Sequence, residues 1–132
     1  MDDRASGIVE TIYQQLGGKG FAMMIGMNFP ILVSEDKKTG NVTATFRWRA
    51  HANDSLNLME VTLDEGKDLY RVTFGSLRGG EAKRQPTLKD IYCEDLRRIF
   101  EQTTGLATIL PHLINIDKVL PSSTSPARPS RG

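Results

Sequence analysis

The sequence predicts an α+β protein in which an N-terminal and a C-terminal helix pack on one face of an antiparallel meander of about four strands. Three observations support this fold class: an apolar stripe with helical spacing near the N-terminus, alternating apolar and polar segments in the middle, and a second helical stripe near the C-terminus. Of the 132 residues, 39% are hydrophobic and 25% charged, a mix typical of folded domains.

The first predicted element is a helix over residues 6–16. Its apolar residues recur every four positions, at Ile8, Ile12 and Leu16, which places them on one face. Ser6 is a suitable N-terminal cap, and the glycines after Leu16 end the helix because glycine accepts the left-handed conformation.

An apolar segment at residues 21–33 follows, and it does not alternate cleanly. It predicts a strand that contains Met23, Met24, Ile25 and Met27, is interrupted at Pro30, and resumes at residues 31–33.

The meander has the clearest pattern in the chain. Residues 42–50, 58–63 and 69–74 each alternate apolar with polar side chains and are joined by short polar segments. The predicted apolar face, on which the helices pack, carries Phe46, Trp48, Val61, Tyr70, Val72 and Phe74.

A basic loop is predicted at residues 75–85, and a second helix from Pro86 and Thr87 to Gly105. The inward stripe of that helix would be Leu88, Ile91, Tyr92, Leu96, Ile99, Phe100 and Thr103. Residues 1–120 are expected to form one domain. Residues 121–132 contain only Pro, Ser, Thr, Ala, Arg and Gly, a composition that predicts a disordered tail.

The sequence contains no arrangement typical of catalysis, of a metal site or of a bound cofactor. Its single cysteine, Cys93, precedes two acidic residues that disfavour the thiolate, and His51 and His112 are not at ligand spacing. The acids Asp64, Glu65 and Asp68 fit a turn better than a calcium loop. The sequence therefore predicts a protein that is not an enzyme, with no catalytic residue, metal or cofactor.

The chain also has no apolar segment of the ~18 residues needed to cross a bilayer. Its N-terminus is acidic and lacks the pattern of a signal peptide. We therefore expect a cytoplasmic protein with no membrane partner.

The polar face of the sheet is a candidate surface for nucleic acid. Strand alternation places Arg47, Arg49 and Arg71 on it, and the basic loop adds Arg78, Lys83 and Arg84. Arginines spaced along strands, with hydroxyls between them, suit contacts to a phosphate backbone. A basic outer face is also ordinary for a half-buried sheet, so both interpretations remain open.

A second candidate surface lies in residues 106–120, which are apolar but irregular. Ile109, Leu113, Ile116 and Leu120 would either complete the core of this chain or dock on another protein, including a second copy in a homo-oligomer.

Four blocks of the sequence resemble a group of small proteins of unassigned function that bacteriophages and integrated mobile elements encode. The blocks are YQQLGG at 13–18, FAMMIG at 21–26, DLYRVTFG at 68–75 followed by Leu77, Arg78 and Gly79, and IFEQTTGL at 99–106. The resemblance covers residues 8–108 and implies a setting in a phage-infected host cell.

Two functional hypotheses follow from the candidate surfaces and from this setting. The leading one is a non-catalytic accessory protein that binds nucleic acid, such as DNA, through the basic face and loop. The alternative is an inhibitor or adaptor that binds a host-defence or replication protein.

Overall fold

The computed structural model describes residues 3–49 and 56–108. It confirms the α+β class, with an N-terminal helix, an antiparallel meander and a C-terminal helix, although the sheet has six strands rather than about four. In chain order the elements are α1 (Asp3–Leu16), α2 (Gly18–Ile25), β1 (Met27–Glu35), β2 (Val42–Trp48), β3 (Leu58–Asp64), β4 (Leu69–Arg78), β5 (Glu81–Arg84), β6 (Leu88–Ile91), a 3₁₀ helix (Cys93–Asp95) and α3 (Leu96–Thr104).

The strands are ordered β1-β2-β3-β4-β5, and every pairing is antiparallel. β5 pairs with residues 75–78 of β4, whereas β6 pairs with the earlier part of β4 through Tyr70 and Val72. Pro86, which lacks a backbone N–H, lies between β5 and β6 and is compatible with this interruption.

The inner face of the sheet is the core, as its alternation predicts. The six residues expected there, from Phe46 to Phe74, are all buried. Phe100 of α3 packs against aromatic rings from three elements. The distance between ring centroids is 5.1 Å to Phe21 in α2, 5.1 Å to Trp48 in β2 and 6.3 Å to Phe74 in β4. The aromatic side chains of this cluster therefore connect α2, α3 and the sheet.

The strand predicted around Met23 is wrong, because residues 18–25 form α2. Phe21, Ala22 and Ile25 are buried at helical spacing, while Met23 is 71% exposed. Gly26 ends the helix in the left-handed conformation, with its N–H directed to the carbonyls of Ala22 and Met23. The predicted strand after Pro30 does exist, as part of β1.

The prediction of a basic loop at residues 75–85 is wrong as well, because most of these residues form a hairpin. β4 continues to Arg78, and β5 returns beside it from Glu81. Gly79 and Gly80 have φ values of 57° and 83°, which fit the two-residue turns that match the twist of paired strands.

The predicted start of the second helix, at Pro86 and Thr87, is also wrong. Residues 88–91 are β6, and α3 begins only at Leu96. Thr87 does not cap a helix, since its hydroxyl lies 2.7 Å from that of Thr73. Asp90 has a φ of 57°, outside the helical region. The predicted end is confirmed, because Gly105 follows α3 in the left-handed conformation.

Residues 109–132 lie outside the described part of the chain, and so do the predicted domain end at 120 and the predicted tail. Across residues 3–49 and 56–108, we find no helix with the length and apolar character needed to cross a membrane.

Candidate nucleic-acid interface

The outer face of the sheet carries arginine and threonine side chains in register. Cross-strand pairing places Thr43 opposite Thr62, Thr45 opposite Glu60, and Thr62 opposite Arg71. The Thr43 and Thr62 hydroxyls are 2.7 Å apart. This face is therefore rich in hydrogen-bonding groups, as the sequence predicts.

Arg47 lies near the C-terminal end of β2 and is fixed by a backbone contact. Its Nη2 donates to the carbonyl of Pro30 in β1 at 3.0 Å. Its Nε is buried without a hydrogen-bond partner among the described residues. An unpaired buried donor is unfavourable by about 1–3 kcal/mol, and Nε of Arg71 is buried in the same way.

Arg84 is held by an acid on the same face. Its Nε and Nη2 donate to the two carboxylate oxygens of Glu60 at 2.9 and 3.1 Å. This hydrogen-bonded pair raises the pKa of Arg84, so the guanidinium stays charged. The pair also neutralises the acid in the middle of the outer face.

Arg78 and Lys83 lie on the opposite side of the sheet from Arg47 and Arg84. Alternation along β4 puts Ser76 and Arg78 on the side of Phe74, and Lys83 is the partner of Ser76. Both basic side chains are exposed, at the hairpin. They border an open groove of about 480 Å³ lined by Leu56, Ser76, Arg78, Glu81, Lys83, Arg84 and Gln85.

Arg49 follows β2 at the same end of the sheet. Its side chain is exposed, and its backbone N–H donates to the carbonyl of Gly26 at 3.1 Å. We use the term basic end for the group formed by Arg47, Arg49, Arg78, Lys83 and Arg84. These five bases face two acids, Glu60 and Glu81, which gives the described residues there a net formal charge of +3.

Arg71, the sixth residue predicted for this surface, is not at the basic end. It lies two strands and four residues from Arg47, about 16 Å away by ideal strand spacing. It borders a groove of about 200 Å³ that Asp36 also lines. The turns at that end, residues 36–41 and 64–68, hold four acids and three lysines. Five of the six predicted residues thus lie at one end of the sheet, where register places Arg84 three strands, or about 14 Å, from Arg47.

Phe29 belongs to this region and was missed by the sequence reasoning, which placed the aromatic residues on the apolar face. Its side chain is 63% exposed, and it precedes Pro30, the residue that Arg47 contacts. The signal that could have identified Phe29 is its position beside a proline within an irregular strand, where an apolar side chain is not bound to alternate.

The other predicted candidates give no site in the described residues. Ile109, Leu113, Ile116 and Leu120 lie outside them, as do His51 and His112. Cys93 is exposed in the 3₁₀ helix rather than inside a longer helix. Within residues 3–49 and 56–108, no three His, Cys, Asp or Glu side chains are arranged to hold a metal ion.

Comparison of the chain with protein-family models, with curated proteins and with solved structures finds no match. The functional interpretation therefore depends on the basic end itself.

Proposed function

We propose that this protein is a non-catalytic nucleic-acid-binding protein, an accessory protein of a phage or mobile element, whose basic end contacts the phosphate backbone. The observation that carries the proposal is that five basic side chains, from β2, β4, β5 and the residue after β2, lie at one end of the sheet, where the described residues include two acids. Of these acids, Glu60 is already engaged by Arg84.

The placement of the bases on both sides of the sheet supports contact with an extended polyanion. Arg47 and Arg84 are on the outer face, while Arg78 and Lys83 border the groove on the other side. A strand that passes around this end of the sheet would meet basic side chains on each side. Arginine and lysine contacts to phosphate dominate affinity and carry no sequence information, so we expect binding with little sequence preference.

The salt dependence of binding tests the proposal. Fluorescence anisotropy with labelled DNA and RNA oligonucleotides should show affinity that falls steeply between about 50 and 200 mM salt. If Arg47, Arg49, Arg78 and Lys83 contact phosphates while Arg84 stays paired with Glu60, the slope of log K against log salt should be about −3 to −4 for duplex DNA.

A pair of matched double variants locates the surface. Arg49→Ala/Lys83→Ala removes two exposed charges at the basic end and should reduce the magnitude of the slope by about 2. Lys37→Ala/Lys38→Ala removes the same charge from the turn at the other end and should leave the slope unchanged. Equal losses in the two variants, or no binding of the wild type at low salt, would contradict the proposal.

A further inference from the structure

Phe29 lies in a bulge of β1 at the basic end. Asn28 pairs with Arg47, and Leu32 pairs with Thr45, so four steps along β1 correspond to two steps along β2. The extra residues have no cross-strand partners, and bulges of this kind redirect side chains. Single exposed apolar residues are common, so the location of Phe29, rather than its exposure alone, is informative.

Three residues with different chemistry are neighbours in sequence or across strands at this bulge. The aromatic ring of Phe29 is 63% exposed. Asn28, its neighbour in sequence, is exposed and lies across from Arg47. The Arg47 guanidinium is held at the bulge by its 3.0 Å hydrogen bond to the Pro30 carbonyl. An exposed aromatic ring, an exposed amide and a cation held at Pro30 thus belong to neighbouring positions of the bulge and its partner strand.

Proteins that bind single strands combine a basic path for the backbone with aromatic rings on which bases stack. A base in a duplex is already stacked between its neighbours, so it reaches such a ring only at the cost of unstacking. The other described aromatic side chains of the sheet, Phe46, Trp48, Tyr70 and Phe74, are buried. Phe29 is thus the aromatic side chain of the described strands that a base can reach.

We infer that the basic end binds single-stranded nucleic acid, with a base stacked on Phe29 and the adjoining phosphate at Arg47. This inference rests on the proposed function, and it names the ligand class of the same site. The Asn28 amide adds donors and an acceptor for the edge of the stacked base.

The test compares three probes of equal length: a single strand, its duplex, and a strand of the same backbone without bases. The wild type should bind the single strand more tightly than the other two. Phe29→Ala should weaken binding of the single strand by about 5- to 150-fold and leave the other two affinities unchanged, whereas Phe29→Trp should retain the preference.

Met23→Ala is the matched control, because it truncates a side chain of α2 that is 71% exposed. It should leave all three affinities unchanged. If the wild type binds all three probes equally and with the same salt dependence, the single-strand inference is wrong and the proposed function stands. If none of the probes binds at low salt, both fail. The comparison of probes on the wild type needs no variant, so it decides the preference for single strands even if Phe29→Ala misfolds; an equal affinity of wild type and a folded Phe29→Ala for the single strand would refute stacking on Phe29.

Discussion

At the scale of residues, Gly75 determines how closely β5 can approach β4 at the basic end. A Cβ on Gly75 would lie 2.8 Å from the carbonyl oxygen of Lys83 and 3.4 Å from the side chain of Leu58. Because backbone cannot yield at that distance, a side chain at this position would displace β5 from β4. Gly75 therefore allows Lys83 and Arg84 to lie beside the meander.

Tyr70 couples α1 to the sheet and makes stability depend on pH. Its side chain is 5% exposed, and its hydroxyl donates to Oε1 of Gln15 at 2.6 Å. Burial, which disfavours the phenolate, raises the pKa of Tyr70. Since the pKa is higher in the folded than in the unfolded state, where it is about 10, the associated stability is complete below pH ~10 and is lost as pH rises through the folded-state pKa.

The substitution Tyr70→Phe should therefore flatten the loss of stability above pH ~10. Near pH 8 it should lower the free energy of unfolding by about 0.5–1.5 kcal/mol, through loss of the hydrogen bond. Urea unfolding at a series of pH values measures both effects. Tyr92→Phe, at a side chain that is 57% exposed, is the control and should follow the wild-type profile; a Tyr70→Phe profile as steep as wild type would refute the coupling.

At the scale of elements, the β4–β5 hairpin connects stability to the proposed function. Gly79 and Gly80 both have positive φ, and a side chain in that conformation costs about 1–2 kcal/mol. The hairpin carries Arg78, Lys83 and Arg84, which are three of the five bases at the basic end.

We expect Gly80→Val to open the end of the hairpin and to weaken nucleic-acid binding, whereas Gly79→Asn should preserve both because asparagine tolerates positive φ. Amide hydrogen exchange at residues 81–84 reports on the hairpin, and anisotropy reports on binding. If Gly80→Val loses the protection of these amides but binds as tightly as wild type, the hairpin is not part of the interface.

Sequence reasoning succeeded for elements whose signal is local and failed where pairing decided the outcome. β2, β3 and the first part of β4 were predicted from alternation alone, because one face meets the core and the other does not. β5, Glu81–Arg84, has no apolar alternation and is exposed throughout; it is a strand because β4 offers an unpaired edge. In β6, Leu88 and Ile91 fit a helical stripe, yet they pair with Val72 and Tyr70.

At the scale of the whole molecule, the aromatic cluster around Phe100 connects α2 and α3 with the sheet. Phe100 is fully buried and contacts the rings of Phe21, Trp48 and Phe74. Removing a buried phenylalanine typically costs about 3–5 kcal/mol, a large part of the ~5–15 kcal/mol that keeps a domain folded.

Phe100→Ala should accordingly lower the free energy of unfolding by about 3–5 kcal/mol. Urea unfolding followed by the fluorescence of Trp48, the single tryptophan of the chain, measures this change. Met23→Ala, at an exposed position of α2, should stay within about 0.5 kcal/mol of wild type. Similar losses for the two variants would show that the cluster does not hold the domain together.

The sequence by itself determined the α+β class, the inner face of the meander and the residue types available for binding. Alternation and helical spacing are local patterns, and burial of one face enforces them. Tertiary structure alone decided which basic residues share an end of the sheet: the hairpin places Arg78, Lys83 and Arg84 at the same end as Arg47, and register leaves Arg71 at the other end. The tertiary structure also decided that Phe29 is exposed. Phe29 lies in a bulge, where residues have no cross-strand partners and side chains need not follow the alternation of a regular strand.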